Sequence, residues 1–497
     1  MAAAGSAIGL GNIWRYPYVA YENGGGAFLV PYFIALATAG IPLLILEYGV
    51  GHRARRGGPG AFRWISKKLE PIGWWQVTLA FFIVCFYAVI IAWALAYAVF
   101  SVTTAWGSSD DAEDFFFGDF LGMGESFWQI GGLNLKVLIP VVIVWLVIFV
   151  IMRRGVSKGI ELTSKILMPI LVVAMLIIVV RGLTLEGAGA GLAQLFQPDF
   201  AALADPGVWI AAYGQVFFSL SVGFATMLTY ASYLKRKTDL PNTAIVVGLA
   251  NAGFEFLAAI GVFSVIGFFA VQQGVEVQDA VASGPGLAFV TIPAIISEMP
   301  AGASLIGVLF FVSLMFAGLT SAVSLLEPPV AAIQEKFRIS RAFAVNLLCG
   351  AAFLIGLIYV TDAGLYFLDT ADNFLNNYGL VIGAFAMLIA FWFTKQWTPL
   401  QNHLNEYAYL RAGAWWKITI SVVSPILIGV MAVLNLATLF REGYEGYPTS
   451  GLLGIGGGVL ALSLLIALVM PFVRRELDEV TPGAAASGGG KSGGDKA

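Results

Sequence analysis

The sequence predicts an all-α membrane protein of about twelve transmembrane helices, built as a five-plus-five inverted repeat in which helices 1 and 6 are broken. Three observations carry that expectation. The 497 residues are 59% hydrophobic and only 11% charged, whereas soluble domains carry about 25% charged residues. Apolar stretches long enough to cross a bilayer recur along the whole chain. Two of them, the first and the sixth, are interrupted by glycine and serine. So little charge leaves too little polar surface for a folded monomer in water, and lipid must replace solvent around it.

Crossing a hydrocarbon core takes about 20 apolar residues per helix. The first stretch, 1–21, contains Asn12 and Arg15 and lacks a basic leader, so it does not read as a cleavable signal. The second (27–50) and third (74–102) flank a loop with Arg53, Arg55, Arg56, Lys67 and Lys68. The loop 103–132 is acidic (Asp110, Asp111, Glu113, Asp114, Asp119, Glu125), and the fourth stretch, 135–152, follows it. Arg153, Arg154 and Lys158 then lead to the fifth, 160–180. The sixth (209–234) runs into Lys235, Arg236 and Lys237 before the seventh, 244–271. Lys336, Arg338 and Arg341 separate the eighth (303–333) from the ninth (343–360). The tenth (366–393) ends at Lys395, the eleventh is 418–440, and the twelfth (452–473) stops at Arg474 and Arg475. Basic residues alternate with acidic or bare loops, which by the positive-inside rule places both termini in the cytoplasm of a cell with the protein in its (inner) membrane.

The expected division is one transmembrane domain over 1–475, with repeat one at 1–181, repeat two at 207–395 and accessory helices at 412–473. A Gly-, Ser- and Ala-rich cytoplasmic tail, 476–497, reads as disordered. A net charge of −3, spread between apolar stretches, offers no basic face to nucleic acid. Cys85 and Cys349 lie inside apolar stretches and are expected to be free thiols. His52 and His403 are placed in polar loops, with no metal site expected. No His, Cys and Asp constellation suggests an enzyme.

In the first stretch Gly5, Gly9 and Gly11 surround Ser6 and Asn12; in the sixth Ser219, Ser221 and Gly223 stand amid Phe217, Phe218 and Phe224. Small residues in a bilayer helix can serve close packing alone. They also permit unwound backbone, which survives at membrane depth only where it lines a cavity or is buried in protein. Two such interruptions five spans apart favour a transporter with an inverted repeat.

The residues then become specific. GSAIGLGNIWRYPYVAYENGGGAFLVPY, GIPLLILEYGVG, DPGVWIAAYGQVFFSLSVGFATMLTYASYL and FAGLTSAVSLLEP together resemble the neurotransmitter:sodium symporter family, from the first stretch to the twelfth. The GLGNIW element lacks the third glycine and the strand–turn–helix setting of a dinucleotide site. The resemblance implies sodium-coupled symport of a neutral, hydrophobic or aromatic amino acid by alternating access. It implies sodium ions as the coupling cofactor, two in number, and an amino acid and the lipid bilayer as partners. One sodium would meet the carbonyl of Ala7, the amide oxygens of Asn12 and Asn251, and Ser219. The other would meet the carbonyls of Gly5, Ile8 and Ala317 and the hydroxyls of Thr320 and Ser321.

By the same resemblance, the substrate carboxylate would lie at the backbone of Leu10 and Gly11 with the Tyr87 hydroxyl. Its ammonium would meet carbonyls around Ser6, Ala7, Phe218, Ser219 and Ser221, and Ile83, Phe218, Phe224, Ser321 and Leu325 would surround the side chain. Monoamine-carrying members have an aspartate at the position of Gly9, so glycine here points to a substrate bringing its own carboxylate. Ser6 stands where the bacterial leucine transporter has an asparagine, so fine selectivity does not transfer. Glu255, one helical turn beyond Asn251, stands where chloride-dependent members have a serine; with Tyr32, Gln215 and Ser219 it would replace chloride. Arg15 and Asp372 resemble an outer gate with Phe218 as its lid, Tyr233 and Glu335 an inner gate, and Glu47 a buried structural glutamate. The family's inner half-helix needs about ten residues to cross half the core. Only four precede Gly5, so the natural start is expected upstream of Met1, with roughly fifteen further residues including an Arg or Lys.

Overall fold

The computed structural model describes residues 2–275, 277 and 285–473, which are helical for most of their length. Among them ten helices are long and apolar enough to cross a membrane. They are Gly26–Ala54, Lys67–Phe100, Leu135–Arg153, Val156–Leu183, Leu240–Gln273, Ala303–Phe337, Arg341–Val360, Gly364–Thr394, Ala414–Glu442 and Thr449–Phe472. The two interrupted spans complete the twelve. The first consists of Ala2–Ala7, Leu10–Ile13 and Arg15–Glu22, and the sixth of Pro206–Ser219 and Thr226–Ser232. Arg474, Arg475 and the tail 476–497 lie outside the described residues.

Burial separates centre from periphery. The most apolar window of the third span is 89% buried, while those of the eleventh and twelfth are 28% and 22% buried. The third span packs along the eighth, and these two uninterrupted helices form the axis against which the broken spans lie. The last two present apolar side chains such as Val433, Leu453 and Leu465 outward, where lipid rather than water is the compatible solvent.

The two breaks differ in construction. In the first span the helix stops at Ala7, and Gly9 is extended, with φ −127° and ψ −166°. The Asn12 side chain accepts the Gly9 N–H at 2.8 Å, so the freed donor is satisfied locally. The sixth span is unwound from 220 to 225 and passes through three positive φ angles: Ser221 at 53°, Gly223 at 86° and Ala225 at 57°. Only glycine adopts that region without penalty, so the other two must be held. The Ser221 hydroxyl donates to the carbonyl of Ser6 at 3.2 Å, joining one break to the other. Glu47, fully buried on the second span, accepts the N–H of Gly223 at 2.6 Å through Oε1, while its Oε2 is buried without a hydrogen-bond partner. Its structural role is thus to satisfy a donor that the unwinding releases. Gly51, one turn further along, lies so close to the inner half of the sixth span that a Cβ there would meet the Leu228 carbonyl oxygen at 1.9 Å.

One expectation is corrected. His52 and His403 do not sit in polar loops. His52 is buried within the helix Ile41–Ala54, His403 belongs to the short helix Trp397–Leu404, and their rings meet at 2.9 Å. Segments read as loops also contain the helices Gly58–Ile65, Ala188–Phe196 and Leu287–Ser297, all too short to span. Cys85 and Cys349 are free and buried.

Candidate functional site

The broken spans, the third and the eighth enclose a cavity of about 30 Å³ lined by Ser6, Ala7, Gly9, Gly11, Asn12, Ile83, Tyr87, Phe218, Ser219, Ser221, Phe224, Ser321 and Leu325. Every side chain named for the substrate from sequence lies on this wall except Leu10, which takes part through its backbone. The Leu10 N–H donates to the Tyr87 hydroxyl oxygen at 3.0 Å. The Ser6 carbonyl receives two hydroxyls, Ser221 at 3.2 Å and Ser321 at 3.4 Å, while the Ser6 hydroxyl is buried without a partner. Apolar groups cluster at Ile83, Phe218, Phe224 and Leu325, and polar groups at the two breaks.

On one side of the cavity a polar chain runs through the protein. Asn12 donates from Nδ2 to Asn251 Oδ1 at 2.8 Å, and Asn251 Nδ2 donates to Ser219 Oγ at 3.0 Å. Each amide oxygen accepts one hydrogen bond and keeps a second lone pair. Ser219 in turn neighbours Glu255. Glu255 is fully buried; it accepts the Tyr32 hydroxyl at Oε2 and Gln215 Nε2 at Oε1, the latter at 2.7 Å. All three of these neighbours are neutral, and the Arg15 guanidinium also acts on the carboxylate. A carboxylate so placed is expensive unless positive charge stands close to it.

On the other side lie the oxygens named for the second sodium. Thr320 donates to the Ala317 carbonyl at 3.0 Å, and Ser321 approaches the Ile8 carbonyl at 3.5 Å. A Cβ at Gly9 would stand 2.7 Å from Ser321 Oγ and 3.0 Å from the Tyr87 hydroxyl. Gly5 packs instead toward Ser164 and Met168 of the fifth span.

The residues expected at the two gates are arranged differently from a simple pair of ion pairs. Arg15 covers the Phe218 ring at 4.7 Å, and Phe218 in turn closes over Gly11. Among the described residues no ion pair joins Arg15 to Asp372, whose Oδ1 accepts Asn376 Nδ2 at 2.7 Å. On the opposite side Glu335 accepts the N–H of Gly57 at 2.6 Å. Tyr233 donates to Glu327 at 3.0 Å, and Arg341 grips the same carboxylate with two bonds, at 2.9 and 2.6 Å. Glu327 and Arg341 were not singled out from the sequence. An acid inside the apolar eighth stretch was the available signal, since intramembrane charge marks function or pairing.

A description of the sodium:neurotransmitter symporter family matches residues 1–112 and 107–477. An uncharacterized sodium-dependent transporter of Methanocaldococcus jannaschii is 40% identical, covering 95% of each chain. The sodium- and chloride-dependent taurine transporter of Canis lupus familiaris is 30% identical over 96% of this chain and 83% of its own. The mouse sodium- and chloride-dependent neutral and basic amino acid transporter B(0+) is also 30% identical, over 90% of this chain and 80% of its own. Family members are transporters, not enzymes, and with twelve helical spans built around two interrupted ones, this chain belongs to the sodium:neurotransmitter symporter family and is a sodium-dependent membrane transporter.

Proposed function

We propose that the protein carries neutral amino acids with sodium by alternating access, and that it does so without chloride. The observation that carries this reading is the buried Glu255 carboxylate, joined through Ser219 to the Asn251–Asn12 amide pair. A fixed negative charge there compensates a sodium ion held by Asn12, Asn251, Ser219 and the Ala7 carbonyl, so no mobile anion is needed. The second sodium lies between the first break and the eighth span, at Gly5, Ile8, Ala317, Thr320 and Ser321. Oxygen donors with no formal charge suit a hard monovalent cation at membrane depth.

Gly9 supports an amino acid over an amine. It brings no carboxylate of its own, so the substrate's carboxylate completes the first sodium site and takes the N–H groups of Leu10 and Gly11. Ser6, Ala7, Phe218, Ser219 and Ser221 hold the ammonium. Ile83, Phe224, Ser321 and Leu325 favour an aliphatic or aromatic side chain and give a charged one no partner. Arg15, Asp372 and Phe218 close the outer side. Tyr233 and Glu335 serve the inner side, which the basic loops place in the cytoplasm with both termini.

The test is uptake of a panel of radiolabelled amino acids into proteoliposomes. A sodium gradient should drive it, and replacing chloride by gluconate should leave it unchanged. Glu255→Ser should then make uptake depend on chloride. Wild-type uptake that stops in gluconate overturns the anion reading; uptake sustained equally by potassium overturns the sodium sites.

A further inference from the structure

His52 and His403 are the chain's two histidines, 351 residues apart in sequence, and the fold places them in contact. His52 Nδ1 and His403 Nε2 are 2.9 Å apart, with ring centroids at 5.1 Å. His52 Nε2 lies 2.9 Å from the carbonyl oxygen of Lys235, in the connection after the sixth span. Whichever tautomers the rings adopt, one proton fits between the two facing nitrogens. A second would set two N–H groups against each other.

The segment that carries His403 joins the tenth span to the eleventh and is tied down at further points. The Tyr409 N–H donates to Asp239 Oδ2 at 2.8 Å, and Asp239 also caps the seventh span through the Asn242 N–H. Arg53 reaches Gln396 at 3.4 Å. All of these anchors belong to the second span or to the connection between the sixth and seventh. Those are the elements whose inner ends, through Gly51 and Leu228, hold the lower half of the broken sixth span.

We propose that His52 and His403 are positioning residues that form a pH-sensitive latch, tying the connection between the tenth and eleventh spans to the inner ends of the second and sixth. With neutral rings the latch is closed; charging the rings releases it. The charged groups facing the pair decide the sign. Arg53 and Arg55 stand beside it on the second span, with Arg236 close to Arg55, while Asp239 is bound to the Tyr409 backbone. Glu406 lies 3.9 Å from His403 Nδ1 and is 56% exposed, so its attraction is screened. Added positive charge therefore meets more repulsion than attraction.

Burial, followed by the fields of His52 and Arg53, holds the His403 imidazole down at about 4. An unlatched ring titrates at about 6.5. The neutral, latched form is thus fully favoured above about pH 6.5 and loses ground as pH falls toward the latched value. With solvent screening allowed for, moving from about pH 7.5 to about pH 5 should shift the latch equilibrium on the order of tenfold toward release.

The experiment needs no substrate, so its outcome is separate from that of the transport reading. The full chain carries spin labels at Tyr409→Cys and Lys237→Cys, both exposed positions, with Cys85 and Cys349 buried. Label-to-label distances are measured in lipid nanodiscs at about pH 7.5 and about pH 5, either side of the free-histidine value. The wild-type background should give a narrow distribution that broadens and lengthens in acid. His403→Gln keeps an N–H donor for His52 without titrating, and should stay narrow at both values. His52→Ala should be broad at both. A wild-type distribution unmoved by acid overturns the latch, as does a His403→Gln protein that responds to acid as the wild type does. The wild-type pH comparison decides the matter even if a variant fails to fold.

Discussion

The first and sixth spans are both interrupted, yet the first is opened by a single extended step and the sixth by a six-residue coil. At Gly9 the chain leaves and re-enters the helix without any left-handed residue, and its freed N–H is taken by Asn12 on the next turn. The sixth span turns through Ser221, Gly223 and Ala225 at positive φ, and its freed Gly223 N–H needs a carboxylate from another span. The first break therefore draws only hydroxyls from other spans, at the Leu10 N–H and the Ser6 carbonyl, whereas the sixth draws a buried carboxylate. That difference suits a division of labour in which the first break presents backbone groups and the sixth supplies the part whose geometry can change.

The comparison is broken most severely at Glu47. Glu47→Leu keeps the bulk but removes the acceptor for the Gly223 N–H group. An orphaned buried donor costs roughly 1–3 kcal/mol, so the fold should be destabilised by roughly that amount. Glu47→Gln keeps one acceptor and should lose much less. Thermal unfolding of the purified protein, followed by tryptophan fluorescence, checks both; a Glu47→Leu protein that melts with the wild type would show that the sixth break does not need its carboxylate.

A smaller effect, confined to the site, is expected at the first break. In Gly9→Ala the new methyl would stand 2.7 Å from Ser321 Oγ. Ser321 can rotate away only by leaving the Ser6 and Ile8 carbonyls. Overpacking of this kind costs up to about 1–3 kcal/mol of stability; where Ser321 turns away to relieve it, its hydroxyl is lost to the second sodium and sodium affinity should fall roughly tenfold. Adding Ser321→Ala removes the nearer of the two atoms that are struck, leaving the Tyr87 hydroxyl at 3.0 Å. The double variant should then bind sodium little worse than Ser321→Ala alone, a non-additivity expected of residues in contact. Two losses that simply add would rule out the clash as the cause.

What could be read beforehand divides along the same line. Helix number and approximate span limits follow from apolar length, because a bilayer demands it. The broken spans are visible as Gly5, Gly9 and Gly11 and as Ser221 and Gly223, because two such interruptions five spans apart are more than close packing alone calls for. The cavity wall, though, is identified from a resemblance: Ile83 and Leu325 look like any buried aliphatic residue of a span. Long-range pairings are invisible to either kind of reading. Nothing near His52 announces His403, and Glu327 gives no sign of Arg341 until the eighth and ninth spans are packed. Arg15 and Asp372 carry the opposite lesson. Their charges suggest a direct pair, but Phe218 takes the guanidinium and Asn376 takes the carboxylate.

The smallest effect is expected at Ala225, where the sixth span re-enters its helix with φ 57°. A left-handed conformation costs an L-residue about 1–2 kcal/mol, so glycine at this position would seem an improvement. Two losses oppose it. Glycine gives up roughly 0.5–1 kcal/mol more conformational entropy on folding. Removing the methyl, which packs against Gly58, loses about 0.8 kcal/mol of burial. The gain and the losses overlap, so Ala225→Gly should shift stability by no more than about 0.8 kcal/mol in either direction. Gly223→Ala is the informative contrast. It adds a Cβ at φ 86° and 2.8 Å from Leu380 Cδ1, with no entropic return large enough to offset both. Unfolding of the two variants side by side separates strain from packing. A clear rise in melting temperature for Ala225→Gly would mean that the sixth break stores strain its surroundings do not offset. A clear fall would mean that the contact with Gly58, rather than the backbone, holds the inner half of the span in place.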